Sequence, residues 1–502
     1  MTKTVSMVES HILRMIWLGL CIALCESTFN FANTYSDHMV LQKGSRGSIV
    51  WGKSSKLGDT VHVSLNGHEV AHSNVTHDAY GGLIWMVKIV MTSHYYGPYN
   101  LTARSSLGEI TVYDVMFGDV WLCSGQSNME FTLSKLMNST AEYADASQYQ
   151  DVRVFRANHF PSSNSLEDFH LHNIARWAKP SQSTLTRFSA VCWLFGKRLS
   201  SQFGYPIGLI ESNFGGTKIE LWSSPDALSQ CSDSKRANHI ADSGLWNGMI
   251  SPLLRNTIYG TIWYQGESNT PNPGKYACQF PAMISDWRQK FSAASLQTTS
   301  PHFPFGFVQL AGNHNGTNGT YFAWMRWTQT AAYGKVPNAK MPNTFMAVAM
   351  DLPDFESPYG TIHPRYKHDV ASRLALSALG VAYHKSGLEY QGPYPSNYHV
   401  TGHSLNIEYD NGRTPIRVNI NASNFEVCCS YRECNVNYGV WLPAPVTSHD
   451  ISSVTLGTTP CGPVPLSAVR YAWRESPCPF KECAVYGRDT DLPGPPFYHS
   501  FH

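Results

Sequence analysis

A serine hydroxyl attacks an ester when an imidazole takes its proton and N–H donors receive the charge developing on the carbonyl oxygen. Four short polar segments of this chain carry side chains of those types. In Gly118-Asp119-Val120-Trp121-Leu122-Cys123-Ser124-Gly125-Gln126-Ser127-Asn128-Met129, an apolar run passes through a glycine turn into a helical stretch. That places Ser127 beside amides at a helix start, where they can stabilise an oxyanion. A serine in that position is equally a common helix cap. Asn213-Phe214-Gly215-Gly216-Thr217 closes a second apolar run, and its glycine pair either lets a backbone N–H approach a ligand or makes a tight turn. Trp263-Tyr264-Gln265-Gly266-Glu267-Ser268-Asn269 is dense in hydrogen-bonding side chains, and its amides suit holding a carbonyl oxygen or a neighbouring loop. Tyr359-Gly360-Thr361-Ile362-His363-Pro364 sets His363 in a loop before another helical stretch, from which it can reach inward as a general base.

The elements around these segments form a regular rhythm. Strand-like runs at Val115–Cys123, Pro206–Ser212, Ile258–Gln265, Phe303–Leu310 and Phe345–Leu352 alternate with helical patterns. The helical patterns begin near Met129 and continue at Phe188–Gln202, Tyr276–Phe291, Tyr321–Tyr333 and His368–Tyr383. Continuous apolar strands between amphipathic helices predict an α/β fold whose mostly parallel sheet is covered on both faces. Ligands of such sheets gather at the carboxyl ends of the strands, where the polar segments lie. Residues 26–111 show short apolar–polar alternation broken by Gly, Pro and Asn, which predicts a small β-sandwich-like domain. Residues 112–391 form the catalytic segment of this reading, and 392–502 a β-rich segment stapled by disulfides.

With 37 Lys and Arg against 36 Asp and Glu, and no cationic run, the chain offers no broad surface for nucleic acid. Residues 1–25 read as a signal peptide, because the apolar run Met15–Cys25 has the length of a signal core and is too short to span a bilayer. Asn-x-Ser/Thr sequons at Asn74, Asn100, Asn138, Asn315, Asn318 and Asn421 point the same way, as acceptors for N-linked glycans. Without Cys21 and Cys25, ten of the 12 cysteines remain. Six of them crowd the tail without the Cys-x2-Cys pairs of a zinc site, which predicts disulfides. The expected location is therefore the secretory pathway, secreted or lysosomal, with no membrane anchor.

The order Ser127, Gly216, Gln265, His363 resembles the SGNH hydrolases. Within them, Gly125-Gln126-Ser127-Asn128-Met129 with Gln265-Gly266-Glu267-Ser268-Asn269 resembles the carbohydrate acetylesterase branch that acts on sialic acids. Phe31-Ala32, Asp37–Gln42, Ile362–Arg365 with Lys367, Cys428-Cys429 and Tyr471–Trp473 through Cys478 extend the likeness over nearly the whole mature chain. Gly125-Gln126-Ser127-Asn128-Met129 departs from the Gly-x-Ser-x-Gly elbow of α/β-hydrolases at Met129. The resemblance implies hydrolysis of O-acetyl esters of sialic acids (9-O-acetyl and related positions) without metal or organic cofactor. It implies Ser127 as nucleophile and His363 as base, with Gly216, Gln265, Asn269, Gln126 and the Ser127 amide at the oxyanion or substrate. Where the family often sets an acid two or three residues before the histidine, this chain has Gly360 and Thr361. The orienting carboxylate is then Asp351, or Asp354, or the site runs as a Ser–His dyad; Asp351, ending a strand, is the preferred expectation.

Three other readings compete: an esterase for another glycan such as acetylated xylan, a noncatalytic carbohydrate-binding protein of the same fold, and a glycoside hydrolase. The last needs two carboxylates flanking the scissile bond. Glu130 and Glu267 are the acids within the motifs, and each is expected rather to orient a loop.

Overall fold

The computed structural model describes residues 28–502 except 80, 232–241, 318, 411–412 and 437–438. The expected signal peptide and Asn318 lie outside the described residues. The chain divides into two compact units. The smaller gathers residues up to Ala32, Val50–Val87 and Asn100–Thr111, and the larger holds the remainder.

The smaller unit is antiparallel. Strand Phe29–Phe31 pairs with Gly52, Lys53 and Ser54, and the buried Trp85 ring lies 5.9 and 5.4 Å from those of Phe29 and Phe31. Strands Thr60–Leu65 and His68–Asn74 form a hairpin turned by Asn66-Gly67. Both turn residues have positive φ (50° and 81°), which the right-handed twist of a two-residue hairpin demands and which Asn and Gly tolerate best.

The larger unit is built on a mixed sheet. Its strands run in the order Ile174–Ala178, Val152–Ala157, Ile207–Asn213, the second half of Gly108–Gly125, Gly260–Tyr264, Phe305–Gln309 and Thr344–Val348. All neighbours are parallel except the Ile174–Ala178 edge. Every residue of the last three strands and of Ile207–Asn213 is buried, which is why they read as mainly apolar runs, with polar residues such as Glu211 to Asn213 gathered at the strand ends. Register puts Trp121 and Cys123 on one face and Ser124 with its partner Trp263 on the other. On the first face Trp121 meets Phe195 at 5.0 Å, and Cys123 is disulfide-bonded to Cys192, both on helix Ala190–Phe203. On the second, Trp263 meets Trp287 and Phe280 of helix Tyr276–Ala294.

Local chemistry sets the helix ends. The Ser189 hydroxyl accepts from the Cys192 N–H to start Ala190–Phe203, and Gly204, in the left-handed region, ends it. Helix Tyr321–Thr328 stops short of the predicted Tyr333 because Ala331 and Ala332 turn to positive φ (54° and 66°).

From Pro395 onward the larger unit continues as two four-stranded antiparallel sheets and a two-stranded one. The tail cysteines pair as Cys428–Cys434, Cys429–Cys461 and Cys478–Cys483, and Cys231–Cys278 is the fifth bridge, so all ten join. Of the sequons, Asn74, Asn100, Asn138, Asn315 and Asn421 are exposed. No helix among the described residues is long and apolar enough to cross a membrane.

Candidate active site

Three of the four polar segments follow neighbouring parallel strands at their carboxyl ends. Gly125 is paired to both Asn213 and Tyr264, so the turns bearing Ser127, Gly215-Gly216 and Gln265 emerge side by side. Only glycine fits at 125: its φ is 141°, and a Cβ there would lie 2.2 Å from the Tyr264 carbonyl oxygen. The chain then makes one helical turn, Ser127–Glu130, rather than the longer helix the sequence suggested. Gly215 packs against it so closely that a Cβ there would sit 3.3 Å from that of Ser127. Glu130 holds this approach, its Oε2 accepting the Gly215 N–H at 2.7 Å and its Oε1 lying 3.1 Å from His159 Nε2. The His159 ring stacks on Phe214 at 3.9 Å.

His363 arrives from farther away, in the loop between strand Thr344–Val348 and helix Lys367–Val381. Several bonds pin that loop. Arg365 donates to Asp354 through its backbone N–H, Nε and Nη2 at 3.0, 2.6 and 2.8 Å. The Ser357 hydroxyl donates to the His363 carbonyl, and Asn128 Nδ2 to the Ile362 carbonyl at 2.9 Å. The result is a contact between groups 236 positions apart: His363 Nε2 lies 2.9 Å from Ser127 Oγ.

The other ring nitrogen fixes the protonation pattern. His363 Nδ1 lies 2.8 Å from the Tyr359 carbonyl oxygen, which can only accept. Nδ1 therefore carries the hydrogen and Nε2 presents its lone pair to the serine. Burial pushes the imidazole below its ordinary pKa; the Tyr359 carbonyl opposes this, and the Lys367 and Lys135 cations add to it.

Beneath the pair lies a buried polar chain. Asn128 Nδ2 donates to Glu267 Oε1 at 2.6 Å, and Asn128 Oδ1 accepts from Lys367 Nζ at 2.6 Å. Lys367 is fully buried, which pushes its ammonium down to about 7, and burial likewise raises the Glu267 carboxyl. Asn128 and Lys367 were not assigned roles from sequence. Their position, beside the nucleophile and four residues after the histidine, was the available signal.

Several expected roles need correction. Asp351 does not orient His363: it is wholly buried and binds Arg373 Nη1 and Nη2 at 2.6 and 2.9 Å, with the Tyr486 hydroxyl at 3.2 Å. A carboxylate that deep in the protein needs a counter-ion, and the guanidinium takes both its oxygens. Asp354 is similarly committed to Arg365. Gln265 has no hydrogen left for an oxyanion, since Nε2 donates to the Thr217 carbonyl and to Asn269 Oδ1. Asn269 Oδ1 also accepts the Ile219 N–H, and its Nδ2 spends one hydrogen on Glu220. Gln126, 2% exposed, accepts the Ser268 N–H through Oε1 and so joins two turns instead of facing open solvent. Gly216, at φ 73°, has open space where a side chain would be. Glu130 and Glu267 both hold loops, as expected. Among the described residues no three His, Cys, Asp or Glu ligand atoms converge at this site.

Residues 117–374 match the family described as carbohydrate esterase, sialic acid-specific acetylesterase. Residues 396–501 match the sialate O-acetylesterase C-terminal domain. The chain belongs to the sialate O-acetylesterase family. It is 41% identical to the sialate O-acetylesterase of Mus musculus over 519 residues, covering 93% of this chain and 94% of that one. It is also 41% identical to that of Homo sapiens over 493 residues, covering 93% and 92%. A crystal structure of a carbohydrate acetylesterase from Xanthomonas citri superimposes with a TM-score of 0.77 at 29% identity, covering 94% of this chain and all of that one. The family matches thus include the Ser127, Gly216, Gln265 and His363 segments and the disulfide-bonded tail.

Proposed function

We propose that the chain is a serine esterase that hydrolyses O-acetyl esters of sialic acids, with Ser127 as nucleophile and His363 as base. The observation that carries this reading is the 2.9 Å contact between Ser127 Oγ and the acceptor nitrogen of a histidine whose tautomer is fixed from behind. As Oγ attacks the acetyl carbonyl, its proton passes to Nε2. The tetrahedral oxyanion is received by the Ser127 and Gly216 N–H groups, with the remaining Asn269 Nδ2 hydrogen as a third donor. The imidazolium then protonates the departing sugar oxygen, leaving an acetyl-serine. Water, deprotonated by the same imidazole, releases acetate and restores the hydroxyl.

The larger unit is read as an SGNH-type fold, with catalytic segment 112–391 flanked by β-rich segments. Five disulfides and five exposed sequons support passage through an oxidising secretory compartment and N-glycosylation, with a secreted or lysosomal destination. Ser127→Ala is expected to abolish acetate release from 9-O-acetylsialic acid while secretion and thermal melting stay normal. A serine-directed organophosphate should label Ser127 on peptide mapping; labelling elsewhere, or retained turnover in the variant, would move the nucleophile. Faster release of acetate from acetylated xylan than from 9-O-acetylsialic acid would overturn the substrate class alone.

A further inference from the structure

We propose that His62, Glu69 and His72, on the hairpin of the smaller unit, form a surface site for a divalent cation of the zinc class. His62 and His72 face one another across the hairpin, with ring centroids 5.7 Å apart. His62 Nδ1 and His72 Nδ1 lie 3.1 and 3.2 Å from the same Glu69 oxygen, Oε1, and the three ligand atoms all fall within 4.8 Å of one another.

The strand geometry that produces this convergence is specific. Glu69 and His72 are three positions apart, so in a regular strand they would point to opposite faces. Pairing, however, runs Val63 with Ala71 and then Ser64 with Glu69, skipping Val70. That bulge shifts the parity of the second strand and turns Glu69 onto the face shared by the two histidines. The opposite face carries Val61 and Val63, both fully buried, so the ligand face is separate from the unit's core.

The distances suit a metal. With zinc about 2.0–2.1 Å from nitrogen and oxygen, a tetrahedral arrangement sets neighbouring ligand atoms roughly 3.3 Å apart. The two N···O separations need widen by only a fraction of an ångström to admit the ion. Two imidazoles and one carboxylate select zinc, copper or nickel over calcium and magnesium, which prefer oxygen cages. The side chains are 50%, 51% and 66% exposed, so an ion reaches them from solvent and water completes its shell. The unit binds its ion apart from the esterase chemistry, which uses none of these residues.

Isothermal titration of the full-length protein with zinc chloride at pH 7.5 tests the site. The wild type should take up one more equivalent than the His62→Ala/His72→Ala double variant, and Glu69→Gln should weaken that equivalent at least tenfold. Metal-free melting curves check that the variants, altered only at exposed positions, remain folded. Equal zinc uptake by wild type and double variant, or none by the wild type at 100 μM zinc, would overturn the proposal.

Discussion

Replacing Asn128 with alanine should damage both stability and turnover, because one amide serves two buried charged groups and a backbone carbonyl. The change removes the bonds to Glu267 Oε1, to Lys367 Nζ and to the Ile362 carbonyl. Hydrogen bonds to charged groups contribute about 1.5–3 kcal/mol each and a neutral one about 1 kcal/mol, so the three together amount to roughly 4–7 kcal/mol if nothing relaxes. Water entering the vacated volume, or neutralisation of the lysine and glutamate, recovers part of this; we expect a net loss of about 3–5 kcal/mol. At about 2.1 cal/mol/K per residue, the unfolding entropy of a unit of about 420 residues converts that into a fall of about 3–6 °C in Tm. Because the Ile362 carbonyl is released next to His363, the imidazole loses its placement, and kcat should fall about 10–100-fold. Scanning calorimetry at fixed rate and acetate release from the folded fraction measure the two effects. A variant melting within 1 °C of wild type with full turnover would refute the claim that this chain of bonds positions the base.

Other perturbations separate neighbouring roles. His363 acts as the neutral base and burial lowers its pKa, so the acid limb of kcat/KM should lie below the ordinary 6.5, with activity rising as pH increases through it. Lys135→Gln removes an exposed cation that helps lower that pKa, and should move the limb upward in a pH–rate profile. Asp351→Asn leaves the Arg373 guanidinium buried without its counter-charge and should cost about 3–5 kcal/mol in thermal or urea unfolding. Turnover per folded molecule should remain; lost turnover at an unchanged Tm would return Asp351 to the site. Gly125→Ala forces a methyl into the Tyr264 carbonyl and should leave no soluble secreted protein; a secreted, active variant would show that the strand ends can separate.

The α/β rhythm was legible in the sequence because its strands are buried on both faces. Ile207–Asn213 and Phe305–Gln309 have no polar face to blur the apolar run, and their observed ends fall within two residues of those predicted. Ser127 and His363 were legible from the motifs around them, a serine at a glycine turn after a strand and a histidine in a loop before a helix. The first is also a common cap, and the second lies 15 residues beyond its strand. The identity of the His363 partner was not. The second side of an imidazole can be satisfied by any carbonyl, and a backbone carbonyl leaves no mark on residue type. Asp351 was misplaced for the converse reason: an acid at a strand end looks the same whether it faces a histidine or an arginine 22 positions along. Gln265 and Asn269 were both read as donors from their amides, but Gln265 spends both hydrogens on the Thr217 carbonyl and Asn269 Oδ1, whereas Asn269 spends one on Glu220 and keeps one. Residue type carries no mark of that difference.

The backbone partner has a chemical consequence. Like a carboxylate, the Tyr359 carbonyl holds the hydrogen on Nδ1 and aims Nε2 at the serine. Unlike a carboxylate, it brings no full negative charge to stabilise the imidazolium formed during acylation. The nearby charges do not replace it: the exposed Lys135, and the buried Lys367 whenever it holds its proton, act against the imidazolium. The site thus favours keeping its base neutral over stabilising its conjugate acid. Part of the intrinsic rate is given up, and in exchange the base stays unprotonated as the surroundings acidify. The turn through Gly360 and Thr361, closed by the His363 N–H donating to the Gly360 carbonyl, is what delivers the Tyr359 carbonyl to Nδ1.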